Sequence, residues 1–208
     1  MSTFRALLMG EGTLPPEYTR VNWIQSSRTQ YFDLDLMSAN GIHKVEVDML
    51  LPLATNSSTS VFGSRSDAGG AKRFGTMYFN QAMSNGIWIG ATSGLLSQSY
   101  VQNQRFNYSV EVDEPSQSVT TNYNGLVRTA IFSGSSITGL PLYLFGANLN
   151  GNITERGTFR VFGVKVWVDK ILVRDMLPVT DRFNEPMMFD NVTGQAFKNK
   201  GTGTFAWN

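Results

Sequence analysis

Few side chains in this sequence are spaced for chemistry. Glu111-Val112-Asp113-Glu114 comes nearest to the paired-carboxylate strand of a retaining glycoside hydrolase. There, two carboxyl groups about 5–5.5 Å apart serve as nucleophile and acid. On a strand, Glu111 and Asp113 share one face, Glu114 takes the other, and Pro115 ends the run at once. The second acid is out of phase. Glu46-Val47-Asp48 fails in the same way, inside an ordinary alternating run. His43 is the sole histidine, beside Lys44 at a strand start, with no G-x-S-x-G signature nearby, and reads as a surface residue. No phosphate loop or zinc-ligand spacing is present. The expectation is a protein that is not an enzyme.

Residues suited to binding are more numerous. Asp67 with Gly69-Gly70, and Asn148, Asn150 and Asn152, offer oxygen ligands of the kind Ca²⁺ takes. Asparagine-rich turns also cap their own backbone without a metal. No cofactor is therefore expected, and Asp67 and Asn150 are the calcium candidates should one bind. Asn-x-Ser/Thr triplets at Asn56, Asn107, Asn152 and Asn191 are what a chain rich in Ser and Thr gives by chance. Trp23, Trp88 and Trp167 lie in apolar runs and read as core or inter-sheet packing. Tyr123 beside Asn124-Gly125, Tyr100 in a Gln/Asn/Ser stretch, and Trp207 at the terminus read as exposed. With Asn124, Asn148 and Asn150 they form the expected contact set for a glycan or a protein partner.

The elements that must position these residues are strands. From Thr158 to Val168 side chains interleave at period two, with Phe162, Val164, Val166 and Val168 on one face and Phe159, Val161, Lys165 and Trp167 on the other. Both faces are largely apolar, which predicts a strand covered on both sides. Asp169-Lys170 interrupts the run and Ile171 to Leu177 resumes it before Pro178, a hairpin pattern in which an aspartate at Val166 would stand unpaired between sheets. A shorter unit follows, Met187-Met188-Phe189, a turn through Asp190 to Gly194, and Gln195-Ala196-Phe197. The chain closes on Gly201-Thr202-Gly203-Thr204-Phe205.

Upstream, Val21 to Leu36 reads as two strands around Ser26-Ser27-Arg28, and Val45, Val47 and Met49 alternate with Lys44, Glu46 and Asp48. Further strands are expected at Val61-Phe62-Gly63, Phe74 to Phe79, Ile87 to Ile89, Phe106 to Val112, Val119 to Tyr123, Leu126 to Phe132 and Leu142 to Phe145. No stretch of ten or more residues has helical periodicity. Strands of this number and spacing predict an all-β, two-sheet antiparallel sandwich.

The opening Trp23-Ile24-Gln25-Ser26-Ser27-Arg28-Thr29-Gln30-Tyr31-Phe32-Asp33 and the closing residues carry a resemblance. The latter are Leu172-Val173-Arg174-Asp175-Met176, Pro178, Phe189-Asp190, Phe197 and Gly201 to Phe205. Together they resemble a bacteriophage and prophage structural protein family with a concanavalin A-like (LamG-like) jelly-roll domain. Arg28 stands where that family usually has glycine, and Asp169-Lys170 where its turn usually contains Asn-Gly. The resemblance implies a jelly roll, no catalytic residues, and a virion component that decorates the capsid or sits in the tail or its fibres. Its implied partners are other virion proteins, further copies of itself, and a host-surface glycan. The alternative function is a lectin-like, glycan-binding receptor-recognition module; a polysaccharide hydrolase is disfavoured by the missing carboxylate pair.

Composition is consistent with this. The 208 residues suit one domain, with 41% hydrophobic and 16% charged residues and 20 glycines. A net charge of +1 gives no pull toward nucleic acid, and zero cysteines exclude disulfides and thiolate metal sites. Ala6-Leu7-Leu8-Met9 is too short for a membrane span or a secretory hydrophobic region, and no small-residue cleavage pattern follows. The expected localisation is the virion, after synthesis in the host cytoplasm without a signal peptide. Leu14-Pro15-Pro16-Glu17 is a stiff junction. Residues 1–16 thus read as an arm and junction, with Phe4, Leu7, Leu8 and Met9 as assembly contacts, and 17–208 as the jelly-roll domain.

Overall fold

The computed structural model describes residues 14–38, 42–51, 59–66, 72–79 and 84–208. The arm residues Phe4, Leu7, Leu8 and Met9, the calcium candidate Asp67, and Asn56 lie outside the described residues. In chain order the strands are β1 (Tyr18–Arg20), β2 (Ile24–Gln25), β3 (Phe32–Met37), β4 (Ile42–Leu50), β5 (Thr59–Arg65) and β6 (Arg73–Phe79). They continue with β7 (Ser84–Ile89), β8 (Thr92–Ser99), β9 (Arg105–Asp113), β10 (Ser118–Tyr123), β11 (Leu126–Ile131) and β12 (Pro141–Leu144). The last are β13 (Ala147–Leu149), β14 (Asn152–Thr154), β15 (Arg160–Val168), β16 (Ile171–Asp181), β17 (Pro186–Asp190), β18 (Gln195–Phe197) and β19 (Ala206–Trp207).

Two sheets result. The large one runs β11-β10-β9-β4-β15-β16-β17-β18, with β1 on β16, β2 on β15 and β19 on β2. The small one runs β14-β13-β5-β6-β7-β8, and β12 joins β5 to β3. Among the described residues pairing is antiparallel except for a short parallel register between β13 and β5 and the isolated parallel bridge Lys72↔Ser135. Alternation places Val45, Val47 and Met49 of β4, and Phe106, Tyr108, Val110 and Val112 of β9, against Phe62, Phe74, Ile87 and Ile89 of the small sheet, all buried. The alternate residues Lys44, Glu46 and Asp48 face outward.

The expected hairpin is present as β15 and β16, in the register Val164↔Met176, Lys165↔Asp175 and Val168↔Ile171. Asp169 and Lys170 both take positive φ, 48° and 68°, the two-residue turn whose twist matches the strands. The expected coverage on both faces is corrected. A register shift against β4 between Val161 and Gly163 makes Phe162 a bulge residue, so the inward set changes parity from Phe159 and Val161 to Val164 and Val166. Apolar residues occur in both phases because the strand changes phase. It is buried on one side only.

The opening and closing motifs meet. Thr202 N–H donates to the Thr29 carbonyl at 3.1 Å and Lys200 N–H to that of Tyr31 at 2.9 Å. A Cβ on Gly201 would run into the Thr29 carbonyl, so this crossing admits only glycine. Phe205 stacks on Phe32 at 4.6 Å and meets Phe145, which stacks on Phe159 at 4.5 Å. Arg28 has φ 81°, a left-handed conformation that glycine adopts without cost. Leu14 and Tyr18 pack beside Val179, Met187 and Phe189, so the proline junction lies against the domain.

Candidate functional site

The outer face of the small sheet carries a mirrored pattern. Phe62-Gly63-Ser64-Arg65 on β5 opposes Arg73-Phe74-Gly75-Thr76 on β6, in the register Gly63↔Gly75, Ser64↔Phe74 and Arg65↔Arg73. Phe62 and Phe74 point into the core, so the two glycines and the two arginines share the outer face. Gly75 in turn pairs with Trp88 on β7. A Cβ on Gly75 would lie 2.7 Å from the Phe62 carbonyl oxygen and 3.0 Å from the Cα of Gly63, so the two strands meet in a floor free of side chains.

Charge is concentrated at one end of this floor. Arg65 Nη1 lies 2.8 Å from Glu155 Oε1, and both side chains are only 18% exposed. The buried Nε of Arg65 has no hydrogen-bond partner among the described residues. Arg73 lies over the half-buried Trp88 ring at 4.6 Å and donates through Nε to the Gly90 carbonyl at 2.9 Å. Glu155 reaches the site from the turn after β14, and its carbonyl accepts the Ser60 N–H at 2.7 Å. Burial pushes the Glu155 carboxyl up from its ordinary range, against the opposing pull of Arg65 and then Arg73. Between these residues lies a slot of about 20 Å³, room for one water-sized group. The two arginines are paired across the strands, Arg65 turned to Glu155 and Arg73 to Trp88, and cations so placed suit a carboxylate, as the indole suits a sugar ring.

The outer face of the large sheet differs. It holds a groove of about 310 Å³ lined by Glu46, Asp48, Asn107, Phe162, Lys165 and Asp175. Its charges already satisfy one another. Arg105 makes two hydrogen bonds to Asp48, at 2.8 and 2.5 Å, and lies over Phe162. Asn107 donates to Glu46 at 3.2 Å, and Lys165 pairs with Asp175 at 3.7 Å. This is a solvated lattice of exposed pairs, each worth little.

The residues expected from the sequence to form a contact set are placed apart. Tyr100 is corrected from exposed to buried, at 5% exposure, because its ring joins the core, and burial raises its phenol pKa. Tyr123 is half-buried with its ring 4.9 Å from that of Phe106. Asn124 is exposed in the β10–β11 turn, where its side chain accepts the Asn107 N–H. Asn148 is corrected likewise: it is buried, donating to the Pro141 carbonyl at 3.0 Å and accepting the Gly151 N–H at 2.7 Å. Its amide is committed to the fold. Asn150 is exposed at φ 49°, and Trp207 is 41% exposed on β19. Among the described residues no three His, Asp or Glu side chains group as a metal site.

Other expectations change too. His43 is buried, not on the surface, because its strand lies under the small sheet near Phe74. The tryptophans expected in the core are half-buried, each under a cation: Trp23 under Arg160, Trp88 under Arg73 and Trp167 under Lys44. Glu114 turns to a loop, accepting hydrogen bonds from both Ser135 and Ser136. Arg65, Arg73, Glu155 and the glycine pair were missed. The signal was the G-x-R…R-x-G mirror across one hairpin, which in register sets like against like.

No protein-family model matches the chain, and no curated relative does. Solved structures do match in shape. The CBM40 module of the Ruminococcus gnavus IT-sialidase, bound to α2,3-sialyllactose, superposes with a TM-score of 0.56 at 15% identity, over 72% of this chain and 90% of that one. A Bacteroides ovatus protein named as a candidate carbohydrate binder gives 0.60 at 9% identity, over 91% and 60%. The heptameric SAP-like pentraxin of Limulus polyphemus gives 0.56 at 14%, over 74% and 78%. Likeness at such identities is likeness of fold: the chain is an all-β, two-sheet antiparallel sandwich with a jelly-roll fold.

Proposed function

We propose that this chain is a non-enzymatic, lectin-like glycan-binding domain, and that its ligand carries a carboxylate-bearing sugar. The observation that carries this is the Arg65–Arg73 pair on a glycine floor beside Trp88, with a buried Arg65 N–H that has no partner among the described residues. A sugar carboxylate would take the two guanidinium groups, and the Trp88 edge would support the ring or its acyl substituent. Glu155 would accept a hydroxyl or amide N–H. The Ruminococcus module bound to α2,3-sialyllactose offers a probe of this class.

Calorimetric titration with α2,3-sialyllactose, with lactose as the neutral control, tests the reading. The sialylated sugar should bind and lactose should not. Arg65→Ala should weaken binding about 10- to 100-fold, the loss of one charge-assisted contact of about 1.5–3 kcal/mol. Equal binding of both sugars, or an unaffected Arg65→Ala variant, would refute it.

Glu155 adds a pH dependence. Its folded-state pKa is raised, so the fold holds this proton more tightly than the unfolded chain does. Its contribution to stability accordingly declines as pH rises through that raised value. At the site, protonation releases Arg65 and Arg73 from a competing carboxylate. Affinity for the acidic sugar should therefore rise as pH falls from neutral through the Glu155 transition. Glu155→Gln should bind well at neutral pH and lose the slope. The same slope in the variant would assign the titration to another group.

A second reading places the domain on a phage particle, supported by the opening and closing motifs that meet at Thr29 and Gly201. Glycan binding would then be the working end of a virion component. Its test is the presence of the chain on purified particles.

A further inference from the structure

We infer that β11 is the docking edge for a second copy of this chain, which adds to the large sheet by antiparallel strand pairing. The other described edges are blunted in ways that discourage pairing. β18, β14 and β1 are three residues long and β19 two, β8 is broken by two register shifts against β7, and β3 by one against β12. β11 pairs with β10 over six residues without a shift, and no described strand pairs with its outer edge. Leu126, Val127 and Ile131 are 49%, 57% and 69% exposed, apolar on both faces of one strand.

Geometry selects the register. Asn124 and Gly125, at φ 47° and 91°, make a two-residue turn closed by Tyr123↔Leu126. The closing pair of such a hairpin is hydrogen-bonded, so Leu126, Arg128 and Ala130 direct their backbone groups to β10. The Phe132 N–H, bonded to the Gln117 carbonyl at 2.9 Å, continues that series. Val127, Thr129 and Ile131 therefore direct N–H and C=O to the open edge.

A two-fold axis normal to the sheet can pass beside Arg128 or beside Thr129. The first sets two Arg128 side chains directly opposite, like against like. The second sets Arg128 against the small Ala130 of the second copy, Val127 against its Ile131, and Thr129 against its Thr129. Thr129 already meets Thr120 at 3.0 Å, so a row of four threonine hydroxyls would cross the seam. Charge and shape both select this second register. An edge contact of this kind lies at the small end of specific interfaces, which makes a weak, concentration-dependent dimer the expected state.

The axis has a functional consequence that rests on the glycan reading. Being normal to the sheet, it points both small-sheet faces the same way, so two Arg65–Arg73 sites would meet one glycan-bearing surface together and gain avidity.

The full chain has no cysteine, which makes the register testable by cross-linking. In V127C/I131C, opposed positions across the seam would stand about 5.5 Å apart at Cα, within disulfide range. Oxidation should give a covalent dimer on a non-reducing gel, whereas R128C should give little. By sedimentation equilibrium the unaltered chain should self-associate. Thr129→Pro, which removes an outward N–H and the exposed hydroxyl contact with Thr120 but no ladder bond to β10, and Val127→Lys should each weaken association at least about tenfold while keeping the native circular dichroism spectrum. A chain that stays monomeric to about 0.1 mM, a dimer indifferent to both substitutions, or no V127C/I131C dimer would overturn the inference. Glycan titration of a monomeric variant separates this outcome from failure of the glycan reading.

Discussion

Replacing Asp190 with alanine is expected to cost about 3–5 kcal/mol, the range for breaking a buried charge pair. Asp190 is fully buried at the end of β17. Its carboxylate accepts the Asp175 N–H at 2.8 Å, the Val192 N–H at 3.2 Å and the Thr193 hydroxyl at 2.7 Å. It lies 3.7 Å from Arg174 Nε. Arg174 in turn donates to the carbonyls of Leu34, Val173 and Asp35, tying β16 to β3 of the other sheet. Alanine would remove the acceptor that three donors share and leave a nearly buried guanidinium without its counter-charge. The melting temperature should fall by about 10 °C. Asp190→Asn keeps the shape and part of the acceptor set and should cost less. A melting temperature unchanged in Asp190→Ala would show that the pair does not hold the sheets together.

An aspartate between the sheets should be equally damaging, but the position matters. Val166 is buried, yet its cross-strand neighbour on β16 is Arg174, which also faces inward and could receive a new carboxylate. Val47 is the cleaner site. It is fully buried, between Val164 on β15 and Tyr108 on β9. Val47→Asp should cost about 4 kcal/mol or more, as an unpaired charge in an apolar layer, and Val166→Asp should cost less. Urea unfolding of both variants measures the difference. Equal losses would mean that Arg174 is held too firmly by Asp190 to turn.

What the sequence determined by itself was whatever depends on near neighbours along the chain. The alternation in β4 and β9 and the β15–β16 hairpin could be read because side-chain direction repeats every two residues and a turn is local. Arg174, Asp190 and Gly201 could be recognised as a motif, though not why they matter. That reason is a latch between two sheets and a crossing where only glycine fits.

Tertiary structure decided which face of each strand is covered. Phe162 bulges, and the parity of β15 flips with it, which no period-two pattern records. His43, Tyr100 and Asn148 became buried because another layer lies over them, while Leu126, Val127 and Ile131 stayed exposed because no described layer does. The candidate site has the same origin. Arg65 and Arg73 come from one hairpin, but Glu155 follows some ninety positions after Arg65. Only the folding of the β14 turn back over β5 brings that carboxylate to the guanidinium pair, where desolvation raises its pKa and two cations oppose the shift. Side-chain type is written locally; burial and charge environment are properties of the stacked sheets.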